Sequence, residues 1–321
     1  MKYRRLGKTK ISVSEIGFGT WGIGGATTDG AHSYGVTDDA ESLRALNCAL
    51  DKGITFYDTA GIYGYGHAEE LLGEAFSGKR DKIVIATKAG SVNHDGEFNV
   101  APSYIRTCLE ESLRRLKTDY VDVYQFHSVS LELVRKVPEC LETMQDLKRE
   151  GKIRAFGYSV KSPIEALAAI KEFGAEVIQL TFNMLDLRAI HDGAFDAART
   201  HGVGVIARVP FCFGFLTGTV TSTQFAPNDH RSAWPKEQLL RWMEAPKMFS
   251  AIDPEKLYTK AQLALKFCIA SPEVSTVIPG MLTVREVEEN TAASSSPSLS
   301  EEKIKAIERI SGEHKFYIQG K

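Results

Sequence analysis

Three apolar runs in the first half of the chain each stop at a residue that can hold or move a proton. They are Phe56-Tyr57-Asp58, Ile85-Ala86-Thr87-Lys88 and Val123-Tyr124-Gln125-Phe126-His127. A tyrosine, Tyr63, follows Asp58 by five residues. One ionisable residue after an apolar run is ordinarily just the polar start of a loop. Three in succession, each of a different chemistry, are harder to dismiss. An ammonium beside a phenol favours the phenolate and draws the tyrosine pKa down from about 10. A carboxylate beside that ammonium keeps it charged and in place. Tyr63 would then be a general acid with a pKa nearer working pH. A histidine beside it offers a second hydrogen bond to the same oxygen. Two donors aimed at one developing alkoxide suit the reduction of an aldehyde or ketone. No side chain can supply a hydride, so this chemistry calls for a nicotinamide cofactor.

These groups can act together only if the run ends converge. Short strand-like runs recur at 16–19, 54–58, 83–87, 121–126, 153–158, 177–180, 203–207 and 274–278, with helical patterns between them. Leu43, Leu46 and Leu50 share one helical face, as do Ile105, Leu109, Leu113 and Leu116. Val134, Val137, Leu141, Met144 and Leu147 recur at three-to-four spacing. Helix starts are read at Ser162-Pro163-Ile164-Glu165, Asp253-Pro254 and Thr283-Val284-Arg285-Glu286. Eight alternations imply an α/β fold, a parallel sheet closed into a (β/α)8 TIM barrel whose active site lies at the carboxyl ends of the strands. An open doubly wound sheet would usually divide into halves, and no linker rich in Pro, Gly or Ser stands at mid-chain. One domain over residues 1–321 is therefore expected. The segment 211–254 after the seventh strand is too long for a simple connection and reads as a functional loop over the barrel mouth. Ser294-Ser295-Ser296-Pro297-Ser298 reads as a connection to an extra C-terminal helix at 301–310.

Composition narrows the function classes. Apolar residues make up 43% and charged residues 25%, and the net charge is −2. Lys/Arg runs are too short for a nucleic-acid surface or a polybasic membrane patch. No apolar stretch approaches the ~20 residues needed to span a bilayer, and no hydrophobic run follows Met1 as a secretory signal would require. Cys48, Cys108, Cys140, Cys212 and Cys268 are scattered without CxxC or metal-type spacing, so no metal is expected and a reducing, cytoplasmic setting fits. Oligomeric state leaves no signature in the pattern.

Gly17-Phe18-Gly19-Thr20-Trp21-Gly22 matches GxGxxG after a strand-like run. A dinucleotide fingerprint needs a helix to open inside the motif, so that its N-terminus faces the pyrophosphate. Here residues 23–30 read as loop, and the first helix starts near Thr37. The Rossmann reading is set aside.

Phe56-Tyr57-Asp58-Thr59-Ala60-Gly61-Ile62-Tyr63-Gly64, followed by Glu69-Glu70-Leu71-Leu72-Gly73, resembles the aldo-keto reductase signature. The likeness runs through Ala86-Thr87-Lys88, Leu113-Arg114-Arg115-Leu116 and Asp119-Tyr120-Val121-Asp122 to Ile278-Pro279-Gly280 and Glu288-Glu289-Asn290. It implies that Tyr63 is the acid, Lys88 its pKa partner, Asp58 the anchor of the lysine and His127 the substrate-orienting donor. It also implies a cofactor-binding set of Thr20, Trp21, Asp58, Ser159, Gln179, Arg208, Pro210, Phe211, Gly214, Gly280, Met281, Arg285, Glu289 and Asn290. Ser159 and Gln179 match the positions that hold the carboxamide. Val160 stands where an asparagine is common, and Arg208 where an aromatic usually stacks on the nicotinamide. A guanidinium plane can stack as well. Where many members carry an arginine for a 2′-phosphate, this chain has Glu286, which also suits a box capped by Thr283. Family likeness leans to NADPH, and Glu286 leaves NADH open. The substrate wall is expected from Trp21, Tyr63, Phe126 and His127, with Phe211 and Phe213 as further candidates and His32, Tyr34 and Trp234 behind them. Cys212 reads as a packing residue.

Two rival functions stand beside carbonyl reduction. Lys88 at a strand end could form a Schiff base in an aldolase, but Asp58 would hold its proton on. A nucleotide-binding regulatory subunit could keep the barrel and lose turnover, although all four catalytic side-chain types are present. The natural carbonyl substrate is not readable.

Overall fold

The computed structural model describes residues 1–27 and 32–318. Strands β1 (Tyr3–Arg5) and β2 (Ser12–Ser14) form an antiparallel hairpin. They are followed by β3 (Phe18–Gly19), β4 (Phe56–Asp58), β5 (Val84–Ala89), β6 (Val121–His127), β7 (Ile153–Ser159), β8 (Val177–Thr181), β9 (Gly204–Arg208) and β10 (Val274–Ile278). Strands β3 to β10 form one parallel sheet of eight in sequence order. Parallel bridges from Ile16 to Val277 and from Gly19 to Gly280 join its two edges. The sheet closes into the expected (β/α)8 barrel, and each of the eight expected runs contributes a strand.

Successive side chains of a strand point to opposite faces, so each strand serves two cores. Phe56, Val84, Ala86, Val123, Ala155, Val177, Ile206 and Ile278 fill the barrel interior, plugged from below by Leu6, Ile11 and Val13 around the hairpin. Tyr57, Ile85, Tyr124, Phe126, Tyr158 and Ile178 face outward against the helices.

Some helices begin where expected and others do not. Asp38 caps the first long helix, Asp39–Asp51, by accepting from the amides of Ala40 and Glu41. Thr283 and Glu286 form a reciprocal capping box on Val284–Ser295, which takes in the first two serines of the expected connection. Ser162 accepts from the Glu165 amide, but the Glu165 carboxylate turns back to the Lys161 amide. Asp253-Pro254 does not start a helix. The next one, Lys260–Ala270, is opened by a Thr259–Gln262 box. The single pattern through Val134 and Leu147 is two helices, Leu131–Lys136 and Glu139–Arg149. Pro138 lacks an amide donor and restricts the residue before it, so the ladder breaks there. Segment 211–254 is not loop alone, since it folds a helix, Lys236–Met248, whose Trp242 is fully buried. The GxGxxG run opens only a single 3₁₀ turn, Gly22–Gly24. Of the loop expected over 23–30, residues 28–30 lie outside the described residues. The extra C-terminal helix is Glu301–Glu313.

One polar knot ties this frame together. Glu69, fully buried, accepts from Thr87 Oγ1 at 2.6 Å and from Arg115 Nε at 2.7 Å. It joins the helices His67–Ala75 and Pro102–Leu116 to β5, one residue before Lys88. Replacing Glu69 with Ala leaves the largely buried Arg115 to a longer contact with the exposed Glu111 at 3.6 Å, and losing one partner of a buried pair costs about 3–5 kcal/mol. Urea unfolding of Glu69→Ala should show a loss of this order; a change below about 1 kcal/mol would mean that the pair behaves as an exposed one.

Candidate active site

The alternation that fills the barrel also builds the site. Counting in steps of two from the inward-facing residues, β4 runs Phe56 to Asp58 and β5 runs Ala86 to Lys88. By the same count β6 reaches Gln125 and His127, β7 Ser159, β8 Gln179 and β9 Arg208. Asp58, Lys88, Gln125, His127, Ser159, Gln179 and Arg208 lie on the inner face, each within two residues of the carboxyl end of its strand. Phe126 has the other parity. Its ring is fully buried against Tyr158, with centroids 5.2 Å apart, in the layer under the helices. It is a core residue and not a pocket wall.

Four expected residues meet. Lys88 Nζ donates to Asp58 Oδ1 at 2.5 Å, to the Thr59 carbonyl at 2.8 Å and to Tyr63 Oη at 3.1 Å. The His127 ring stands edge-on to Tyr63 with centroids 5.7 Å apart. Asp58 and Lys88 are only 2% and 3% exposed. The second carboxylate oxygen of Asp58 accepts from Gln179 Nε2 at 2.6 Å and from Gln125 Nε2 at 3.4 Å. Ser159 Oγ donates to Gln179 Oε1 at 3.2 Å, which orients that amide. Gln125 was not singled out from the sequence, although its parity with His127 was a usable signal. A cavity of about 190 Å³ borders Lys88 and His127 and is lined further by Ile62, Tyr65 and Tyr104.

The protonation states follow from burial and charge. Burial opposes the Lys88 ammonium, but Asp58 and Tyr63 outweigh it, and the lysine is held above its ordinary pKa. Burial pushes the Tyr63 phenol up, and Lys88 pulls back only part of that shift. The expectation of a net lowered tyrosine pKa does not hold here. A phenolate in this site loses more hydration than Lys88 returns, because Asp58 already shares the lysine's charge. Burial, then Lys88 and Arg208, hold His127 well below 6.5, so its ring is neutral near pH 7.

Backbone strain gathers around the same rim. After Tyr63 the chain passes through three left-handed residues, Gly64, Tyr65 and Gly66. A Cβ on Gly64 would lie 2.2 Å from the Gly24 carbonyl oxygen, so the turn that presents Tyr63 requires glycine there. Past β9, Val209, Cys212 and Phe213 also have positive φ. This conformation is an outlier for a β-branched residue. Asn183 Nδ2 holds the Val209 carbonyl at 2.9 Å.

The expected cofactor positions form a track across the rim. Thr20 donates through both its amide and its hydroxyl to the Asp58 carbonyl. Arg208 Nη2 donates to the Val160 carbonyl at 3.0 Å, and its buried Nε has no partner. Pro210, Phe211 and Gly214 lie on the strained loop after β9. Gly280 faces open space, since a Cβ there would meet nothing within 4 Å. Met281 is fully buried. Asn290 is buried, Glu289 half-buried and Arg285 exposed on the helix Val284–Ser295. An orphaned donor at Arg208 and an open backbone at Gly280 fit a bound dinucleotide. The N-terminus of that helix carries two carboxylates. Glu286 accepts from the amides of Leu282 at 2.6 Å and Thr283 at 3.3 Å. Glu41, from the helix Asp39–Asp51, accepts from the Val284 amide at 3.0 Å. That bond, followed by Arg44, lowers the Glu41 pKa. Its partner is 243 residues away, and nothing in the sequence pattern announced it.

The mouth is aromatic. Trp21 packs on Tyr34 and on His230, with centroids 5.0 and 4.6 Å apart. Phe213 packs on His230, Trp234 and Trp242. His32 stacks on His94 at 4.3 Å. Among the described residues, no His, Cys, Asp or Glu cluster is placed to hold a metal ion, and no helix is long and apolar enough to cross a membrane.

Burial drives the His230 pKa down from 6.5 to about 4. In the unfolded chain it binds a proton below pH 6.5, which the native state refuses until about pH 4. The unfolded state thus holds more protons in this window, and native stability falls as the pH drops through it. For His230 the loss is about 2 kcal/mol at pH 5 relative to pH 8. Urea titrations of wild type and His230→Gln at both pH values should show this increment in the wild type alone; equal pH slopes would overturn the assignment.

Comparison with known proteins places the chain. Residues 15–311 match the model of the Aldo/keto reductase family. "Uncharacterized oxidoreductase YqkF" of Bacillus subtilis is 30% identical over 312 residues, covering 96% of both chains. The NADH-specific methylglyoxal reductase of Escherichia coli is 29% identical, covering 96% of this chain and all of that protein. The glycerol dehydrogenase AKR11B4 from Gluconobacter oxydans superposes with a TM-score of 0.82 at 29% identity, covering 99% of this chain and 97% of that one. Fold and sequence agree, and the chain belongs to the aldo/keto reductase family of oxidoreductases.

Proposed function

We propose that this protein reduces an aldehyde or ketone to the alcohol, with a reduced nicotinamide dinucleotide as hydride donor and Tyr63 as proton donor. The observation that carries this reading is the contact of Tyr63 Oη with Lys88 Nζ at 3.1 Å, with Asp58 2.5 Å beyond, in a site nearly closed to water. When bound, the cofactor supplies a hydride to the carbonyl carbon. The chain supplies everything else. Tyr63 keeps its proton at rest, because burial disfavours the phenolate. As charge collects on the carbonyl oxygen, Tyr63 releases that proton to it, and Lys88 stabilises the phenolate left behind. Asp58 keeps Lys88 charged. His127, neutral, donates a second hydrogen bond to the same oxygen. Ser159, Gln179 and Arg208 serve the nicotinamide end, and Trp21 with Phe211 and Phe213 walls the substrate. A Schiff base at Lys88 is opposed by the raised lysine pKa. The five free cysteines suit a cytoplasmic setting.

On the adenosine side the cofactor we favour is NADH. Dinucleotide sites generally offer an acidic side chain to a ribose 2′-hydroxyl and an arginine to a 2′-phosphate. Here Glu41 and Glu286 already occupy the helix N-terminus that a phosphate would seek. This reverses the lean to NADPH that likeness alone suggested. Similar proteins are named for each cofactor, one for NADH and another for NADP(+), so this choice rests on the carboxylates.

Two outcomes test these assignments. Tyr63→Phe should lose about 10²–10⁴ in turnover while NADH binding, read by fluorescence, stays near wild type; a variant that keeps most of its rate removes Tyr63 as the acid. The wild type should bind NADH more tightly than NADPH. In Glu41→Gln/Glu286→Gln, where glutamine can still complete the capping box, the preference should narrow by about tenfold, the scale of two solvent-weakened charge contacts. An unchanged ratio in calorimetric titrations would clear both carboxylates of any role.

A further inference from the structure

The site holds an unbalanced charge. Lys88 is paired with Asp58, whereas Arg208, at the carboxyl end of β9, has no ion-pair partner among the described residues. Among the described residues its carbonyl acceptor is Val160, and its Nε is buried without a partner. Asp186, whose charge reaches Arg208, is already held by Arg188 through bonds of 2.8 and 2.6 Å. A half-buried cation whose Nε is sealed from water and which has no carboxylate of its own is costly. The field of Arg208 reaches Tyr63 and His127. Any ring that hands a hydride to a carbonyl held at those two residues must sit next to that carbonyl, and so within the same field.

We infer that Arg208 makes the site discriminate between the two redox states of its dinucleotide, holding the reduced form more tightly than the oxidised one. The inference rests on the carbonyl-reductase reading above. NADH and NAD⁺ share every phosphate and hydroxyl. They differ at the nicotinamide ring, which is neutral when reduced and positively charged when oxidised. A fixed guanidinium in a water-poor site repels only the second. An aromatic side chain at this position would do the reverse, since a π face attracts a cation. In the reducing direction this repulsion is absent while the substrate complex assembles and appears once the hydride has left, so it favours release of the spent cofactor.

Equilibrium binding of NADH and of NAD⁺ tests this without turnover. NADH is followed by its fluorescence and NAD⁺ by competition, in wild type, Arg208→Gln and Arg208→Lys, with Arg208→Met as a second neutral variant should glutamine fail to fold. The wild-type ratio of Kd for NAD⁺ to Kd for NADH should exceed one. It should fall about tenfold in a neutral variant, the scale of one charge acting across a partly buried site. Lysine, which restores the charge without the planar fork, should recover the ratio. A neutral variant with an unchanged ratio, or a lysine variant that behaves like glutamine, overturns the inference. Wild type that binds neither form would instead bring down the functional reading on which it rests.

Discussion

An ammonium and a carboxylate 2.5 Å apart, both nearly sealed from water, are expensive to assemble. The surrounding structure exists in large part to make that pair tolerable. Each partner has its remaining hydrogen-bond capacity met: Lys88 by the Thr59 carbonyl and Tyr63, Asp58 by the amides of Gln179 and Gln125. Remove either charge and the other is left stranded in low dielectric. Keep both and a phenol lies against a cation whose own proton is securely held. Tyr63 is thereby given a stabilised anion to become, while burial keeps it protonated until substrate charge asks for the proton.

Such a cluster needs a frame that cannot relax around it. The closed parallel sheet supplies one, because each strand end is hydrogen-bonded on both sides and its side chains must alternate between the interior and the helical layer. The apolar residues of the lower barrel and the polar residues of the rim are successive members of the same inward rows. Fine positioning then falls to irregular backbone, the left-handed stretch at Gly64, Tyr65 and Gly66 and the strained residues Val209, Cys212 and Phe213. Strain of this kind persists only where neighbours over-determine the conformation, as Asn183 does for Val209.

The charge pattern along the cofactor track is polarised. Its catalytic end holds the buried Lys88 and the half-buried Arg208 against one carboxylate, while its far end presents Glu41 and Glu286 at a helix N-terminus. These are different electrostatic tasks. The buried end acts on charge that appears during chemistry, where low dielectric magnifies a single fixed group. The exposed end acts on the identity of the ligand, where solvent weakens each contact. A neutral His127 between them donates a hydrogen bond without adding a third cation.

Much of this was legible in the chain. Eight apolar runs, their spacing and their polar ends specified the barrel and brought Asp58, Lys88 and His127 to one rim, because a two-residue period is a local property of extended backbone. The same period could have told Phe126 from Gln125, since neighbours on a strand face opposite layers. Capping at Ser162 and Thr283 was also local and readable, whereas Pro138 was overlooked inside a tempting helical pattern. What no local pattern carried was the sign of the Tyr63 shift, the arrival of Glu41 at a helix 243 residues away and the solitude of Arg208. Each of these depends on how much water and which distant charges surround a group. The chain determined which groups could meet; only the packed structure decided their surroundings, because desolvation and through-space charge are sums over neighbours that sequence order does not contain.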